Sequence, residues 1–97
     1  MDNSEDIIRR GAEAERLLNH ELLKESFEKV ATHITNAWAT TSPLEVEARE
    51  KLYLKLQVLQ EVREHLRIAA ENGKFTKSRL EKLSEFTSRV AGYRFGR

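Results

Sequence analysis

The run Thr40-Thr41-Ser42-Pro43-Leu44-Glu45 starts a helix, and no stop signal follows it until Asn72-Gly73. Ser42 can accept a hydrogen bond from a free amide of the first turn. Pro43 has no amide to lose at the first helical position, and Glu45 can reach back as the capping-box partner. The spacing predicts a helix over 43–72, about 30 residues and roughly 45 Å long. In a chain of 97 residues such a rod is most of the molecule. The working parts of an elongated helical protein are its faces and ends.

That reading fits what the rest of the chain lacks. One proline and four glycines leave few turns, and 34% charged residues suit helices with one solvated face. The length allows a single domain over 1–97, all-α, an elongated antiparallel hairpin or bundle of about four helices around one long central helix. Cysteine is absent, so disulfides and thiolate metal sites are excluded, which suits a reducing compartment. No apolar run approaches the length of a secretory signal or a membrane span, so no membrane partner is expected.

Residues 1–5 are polar and read as a frayed end, followed by a helix over about Asp6 to Leu18 with acidic residues near its positive end. Asn19 is a candidate cap for the next helix, although a helix running through 19 and 20 satisfies the same pattern. The second helix, about His20 to Ala39, carries Leu22, Leu23, Phe27, Val30, Ile34 and Trp38 in steps that keep one stripe on one face. The long helix carries Leu52, Leu56, Leu59, Val62, Leu66 and Ala69, while Leu54, Val58 and Ile68 widen its apolar surface. A helix apolar on more than one side usually lies between partners, and the second helix, antiparallel across the turn at 40–42, covers only one of them. Asn72-Gly73 is then expected to end the rod as a C-cap. Thr76 would cap a fourth helix over about Lys77 to Val90, closed by Gly92, with 92–97 left as a basic and aromatic tail.

Charge is distributed unevenly. Residues 74–97 carry a net +5 and the preceding residues a net −4. The basic end can meet an acidic partner or a polyphosphate; equally, Lys and Arg at a terminal helix do no more than solvate it and complement its dipole. Asn72 to Arg79 also has the form of a glycine turn before a short basic helix, as in helix-turn-helix DNA readers, which marks Lys74, Lys77, Arg79 and Lys82 as candidate nucleic-acid contacts. The length of the preceding helix argues against that motif.

Chemical constellations are missing. His20, His33 and His65 stand at no metal-binding spacing, and the carboxylates from Glu45 to Glu64 are interleaved with Arg49, Lys51, Lys55, Arg63 and Arg67 as on a solvated helix surface. With no phosphate loop, nucleophile elbow or Cys–His pair, no catalytic residue, cofactor or metal is assigned, and a non-enzyme is expected. Trp38, with Tyr53 near it, is either a plug at the end of the hairpin or a binding anchor.

Two stretches look familiar together: Arg10-Gly11-Ala12-Glu13-Ala14-Glu15-Arg16-Leu17-Leu18-Asn19 with Glu21-Leu22-Leu23 and Phe27, then Ala48-Arg49-Glu50-Lys51-Leu52 through Val62-Arg63-Glu64-His65-Leu66 to Gly73-Lys74. They resemble small helical proteins encoded by tailed bacteriophages among genes for head assembly and DNA packaging. The resemblance covers roughly residues 9–75. It implies a non-catalytic assembly or virion-associated protein, in the host cytoplasm or the virion, that self-associates and docks on a larger phage or host protein. Alternatives are a DNA-packaging accessory like a small terminase and a small inhibitor of a host protein. The candidate partner contacts are Trp38, Tyr53, Phe75, Arg89, Tyr93, Arg94, Phe95 and Arg97.

Overall fold

The computed structural model describes residues 3–95, with side chains described up to residue 91. It contains three helices: α1 (Ser4–Leu18), α2 (Glu21–Ala39) and α3 (Val46–Phe95). No strand occurs among the described residues. The molecule measures 79 × 25 × 22 Å, and α3 sets the long dimension, since its 50 residues at 1.5 Å each reach about 75 Å.

α1 and α2 run back along α3, antiparallel to it. Arg49 lies over the ring of Trp38, Arg63 over that of Phe27, and Gly73 against Gly11, so residue numbers rise along α3 as they fall along α2 and α1. α1 begins at Ser4, two residues before the expected start, with Asp6 paired to Arg9 and Arg10 across its first turns. The chain breaks at Asn19-His20: His20 is extended, and the amide of Lys24 donates to its carbonyl to start α2. The N-cap is therefore His20 rather than Asn19, and one helix through the junction is ruled out.

The turn into α3 is built as its residues dictate. The hydroxyls of Thr40 and Thr41 donate to the carbonyls of Ala37 and Trp38, closing α2. The Ser42 hydroxyl accepts from the Leu44 amide at 3.1 Å, and the Ser42 amide donates to Glu45 Oε2 at 3.1 Å, which is the reciprocal capping box. Residues 43 and 44 form a turn, so regular helix begins at Val46, three residues after Pro43.

The four-helix expectation fails at Asn72-Gly73, where α3 continues without interruption. Neither this glycine nor any other described one has positive φ, so no left-handed cap forms. Gly73 instead faces Gly11. A Cβ built on Gly11 would stand 2.6 Å from the Gly73 Cα and 2.8 Å from the Ala69 carbonyl oxygen. With Ala14 and Ala70 buried beside them, the small residues let two backbones meet directly. A C-cap is a local preference of about 1 kcal/mol, and a close helix crossing that tethers all of α1 outweighs it. The expected fourth helix is the second half of α3, and α3 passes through Gly92 as well. The side chains of the expected tail, 92–97, lie outside the described residues.

Candidate interaction surfaces

A pair of helices can bury only a narrow seam, and the seam here is thin. Among the described residues the buried apolar side chains are Ala14, Ile34 and Ala70, while sixteen large apolar or aromatic side chains are exposed. The total accessible surface is 8171 Å², against about 5,700 Å² for a compact monomer of this mass.

Two apolar grooves flank the α2–α3 hairpin. The first, about 220 Å³, lies between Ile34, Thr35 and Trp38 of α2 and Leu52, Tyr53 and Leu56 of α3. Trp38 is 44% exposed and Tyr53 57%. The Arg49 guanidinium sits 4.2 Å from the centre of the Trp38 ring and donates to the Thr41 hydroxyl at 2.8 Å. This contact clamps one face of the indole to the turn and leaves the rest open, a combination of fixed orientation and accessible area that suits an anchor for a partner. The second groove, an open trough of about 750 Å³, has Phe27 and Val30 on one wall and Leu54, Val58 and Val62 on the other, with Lys51 and Lys55 along its margin.

The other candidate residues do not join these grooves. Phe75, 66% exposed, stands on α3 about 33 Å beyond Tyr53, and Arg89 about 21 Å beyond Phe75. Tyr93, Arg94, Phe95 and Arg97 have side chains outside the described residues. Of the basic set, Lys74 is held by Glu15 at 3.0 Å and Lys77 borders the same α1–α3 cleft. Arg79 and Lys82 are exposed. Because α3 is continuous here, there is no turn to present Lys77 to Lys82 as a separate recognition helix, and the helix-turn-helix reading is withdrawn.

Beyond Leu80, α3 leaves α1 behind. Every residue from 81 to 91 is exposed, including Leu83, Phe86 and Val90. Charge on the α3 surface is organised locally. Arg67 binds both Glu64 and Glu71, and its hydrogen bond to Glu64 holds that carboxyl below the ordinary glutamate pKa while raising the guanidinium's own. Glu64 is exposed, so the pairing orders the helix surface. No group of three or more His, Cys, Asp or Glu residues among those described could hold a metal ion. No described helix is long and apolar enough to cross a membrane.

Gly11 and Gly73 are the residues of this surface that the sequence reading missed as contacts. Their signal was a glycine within a helical pattern, three or four residues from Ala14 in one case and from Ala69 and Ala70 in the other. Compared with known family models, curated proteins and solved structures, the chain matches none. The bacteriophage resemblance therefore rests only on the residues quoted for it.

Proposed function

We propose that this chain is a non-catalytic assembly protein, of the bacteriophage type that the resemblance implies, which self-associates and docks a larger protein on its hairpin. The observation that carries this reading is the mismatch, among the described residues, between three buried apolar side chains and sixteen exposed large ones. The surface in excess of a compact monomer is roughly 2,400 Å², three times the 800 Å² that each partner contributes to a standard interface. The excess is total surface, polar and apolar together, and the sixteen exposed large apolar side chains among the described residues are the part of it that association would cover. The Trp38–Tyr53 groove is the proposed docking point for the larger partner, since an oriented tryptophan beside a tyrosine and an arginine is the composition of an interface hot spot.

Sedimentation equilibrium at micromolar concentration, followed by affinity capture with wild type and Trp38→Ala, tests both parts. The expected result is an oligomer whose mass is unchanged by Trp38→Ala, together with a captured partner that the variant loses. A monomer across that range refutes self-association. Salt-dependent DNA binding lost in Arg79→Gln/Lys82→Gln would instead favour the packaging-accessory reading. A one-to-one complex with a host protein in place of an oligomer would favour the inhibitor.

A further inference from the structure

Given the self-association proposed above, we infer that the partner on α3 is a second copy of the same helix, antiparallel, with the two-fold axis close to Asn72. α3 carries two apolar stripes. The first, Leu52, Leu56, Leu59, Leu66, Ala70 and Gly73, faces α2 and α1 and is buried or half-buried. The second runs through Leu54, Val58, Ile68 and Phe75 and continues into Leu83, Phe86 and Val90, all of them exposed. Its members are separated by sums of three- and four-residue steps, so they share one face, more than a third of a turn from the first stripe. No described residue covers it.

The second stripe is nearly self-complementary when reversed. With Asn72 on the axis, Leu54 faces the partner's Val90 and Val58 faces the partner's Phe86, while Val62, beside the stripe, faces the partner's Lys82 and lies one residue from the partner's Leu83. Ile68 and Phe75 meet the partner's Phe75 and Ile68 around the axis. Leu54, Val58, Phe86 and Val90 therefore face apolar residues, and Ile68, Phe75 and Leu83 lie within one residue of large apolar ones, in a single register. Asn72 is also within two residues of the midpoint of α3, so that register overlaps almost the whole helix. Two asparagine amides meeting at the axis can hydrogen-bond reciprocally, and a polar layer of this kind penalises slipped alignments.

Charge selects the orientation. The first half of α3 places Glu47, Glu50, Glu61 and Glu64 on or beside the second stripe, with Lys51 and Lys55 on its trough side, and the second half places Arg79, Lys82 and Arg89 there, so the first half is net acidic and the second basic. An antiparallel pair sets acidic half against basic half, with Glu61 next to the partner's Lys82, whereas a parallel pair sets each against its like. The arrangement also accounts for the overhang. Residues 81–91, unpartnered in one chain, lie along the open trough of the other chain's hairpin between Val30 and Val58, completing a three-helix layer at each end.

The chain has no cysteine, so single labels are simple to place. Nitroxides on Ser78→Cys and, separately, Ser88→Cys, both exposed and off the stripe, report the geometry by pulsed dipolar spectroscopy on the full chain. The antiparallel dimer puts the Ser78 labels about 18 Å apart along the axis and the Ser88 labels about 48 Å apart. Equal separations of about 10–20 Å at both sites mean a parallel pair and overturn the inference while leaving self-association intact. Two separations that both depart from these values by about 10 Å in the same sense mean an antiparallel pair slipped by one heptad, which overturns the register. A monomer with no dipolar signal overturns both the inference and the reading beneath it. As a second test, Glu61→Lys and Lys82→Glu should each weaken the dimer about fivefold or more, and the double variant should recover most of the loss. Singles and double that all weaken together would overturn the pairing.

Discussion

Replacing Gly73 with alanine adds one methyl group at the point where α3 touches α1, and two opposing effects fix its outcome. Within α3 the change is favourable, because alanine in a helix interior is better than glycine by about 0.5–1 kcal/mol. Across the crossing it is not. The new Cβ would lie 2.8 Å from the Gly11 Cα and 3.2 Å from the Ile7 carbonyl oxygen, both backbone atoms that no rotamer change can move. Reaching an ordinary carbon contact of about 3.5 Å requires the helices to separate by roughly 0.7 Å, which forfeits a quarter to a half of the dispersion energy along that seam. Overpacking of this kind costs about 1–3 kcal/mol, so after the helical gain the net loss is about 1 kcal/mol. For a chain of this size that corresponds to a Tm lower by about 4–8 °C, measured by circular dichroism at one fixed protein concentration. Hydrogen exchange should show the loss in α1 rather than α3, as α1 amides lose protection while those of α3 keep it. Ser78→Ala, an exposed site on the same helix, is the control and should raise Tm slightly. If Gly73→Ala behaves like that control, with α1 still protected, then the Gly11–Gly73 crossing does not hold α1 and the fold argument fails at its centre.

Other consequences are open to direct measurement. Gly11→Ala should be worse than Gly73→Ala, since its Cβ meets backbone at 2.6 and 2.8 Å, and the double variant should lose less than the sum because both act on one contact. Ser42→Ala should cost about 1 kcal/mol in denaturant unfolding, through loss of the acceptor for the Leu44 amide. Truncation to residues 1–80 should leave the helicity of the remaining residues intact by circular dichroism, as 81–91 are all exposed among the described residues, yet abolish the dimer seen by sedimentation. The depressed pKa of Glu64 contributes stability above the ordinary glutamate pKa and loses it as pH falls through the depressed value. An NMR titration should find Glu64 ionising below the ordinary glutamate pKa, and Arg67→Gln should return it to the ordinary range.

What could be read from the residues alone was what short range decides. Ser42, Pro43 and Glu45 act within four residues of one another, so the start of α3 and its capping box follow from their chemistry, with regular helix beginning three residues late because Pro43 and Leu44 spend one turn closing the connection. Most of the stripes on α2 and α3 was legible for the same reason, since periodicity is a local property that packing then uses: Phe27, Ile34, Leu52, Leu56, Leu59 and Leu66 are buried or half-buried, whereas Leu22 and Val62, read into the same stripes, are exposed. The surplus apolar width of α3 was visible as well, and it is what the self-association proposal still rests on. Asn72-Gly73 was not legible. The same dipeptide can end a helix or let another helix approach it, and the local preference between the two is only about 1 kcal/mol. Gly11, 62 residues away, decides between them, and nothing near position 73 announces it. The expected fourth helix and the DNA-reading turn both depended on that one choice and fell together. The grouping of Trp38 with Arg49 and Tyr53 likewise needed the hairpin to close before it became a surface, whereas Phe75 and Arg89, equally plausible as contacts, were carried tens of ångströms away by the straightness of α3. Local chemistry determined where this chain turns helical, and the contact between two glycines determined how far the longest helix runs.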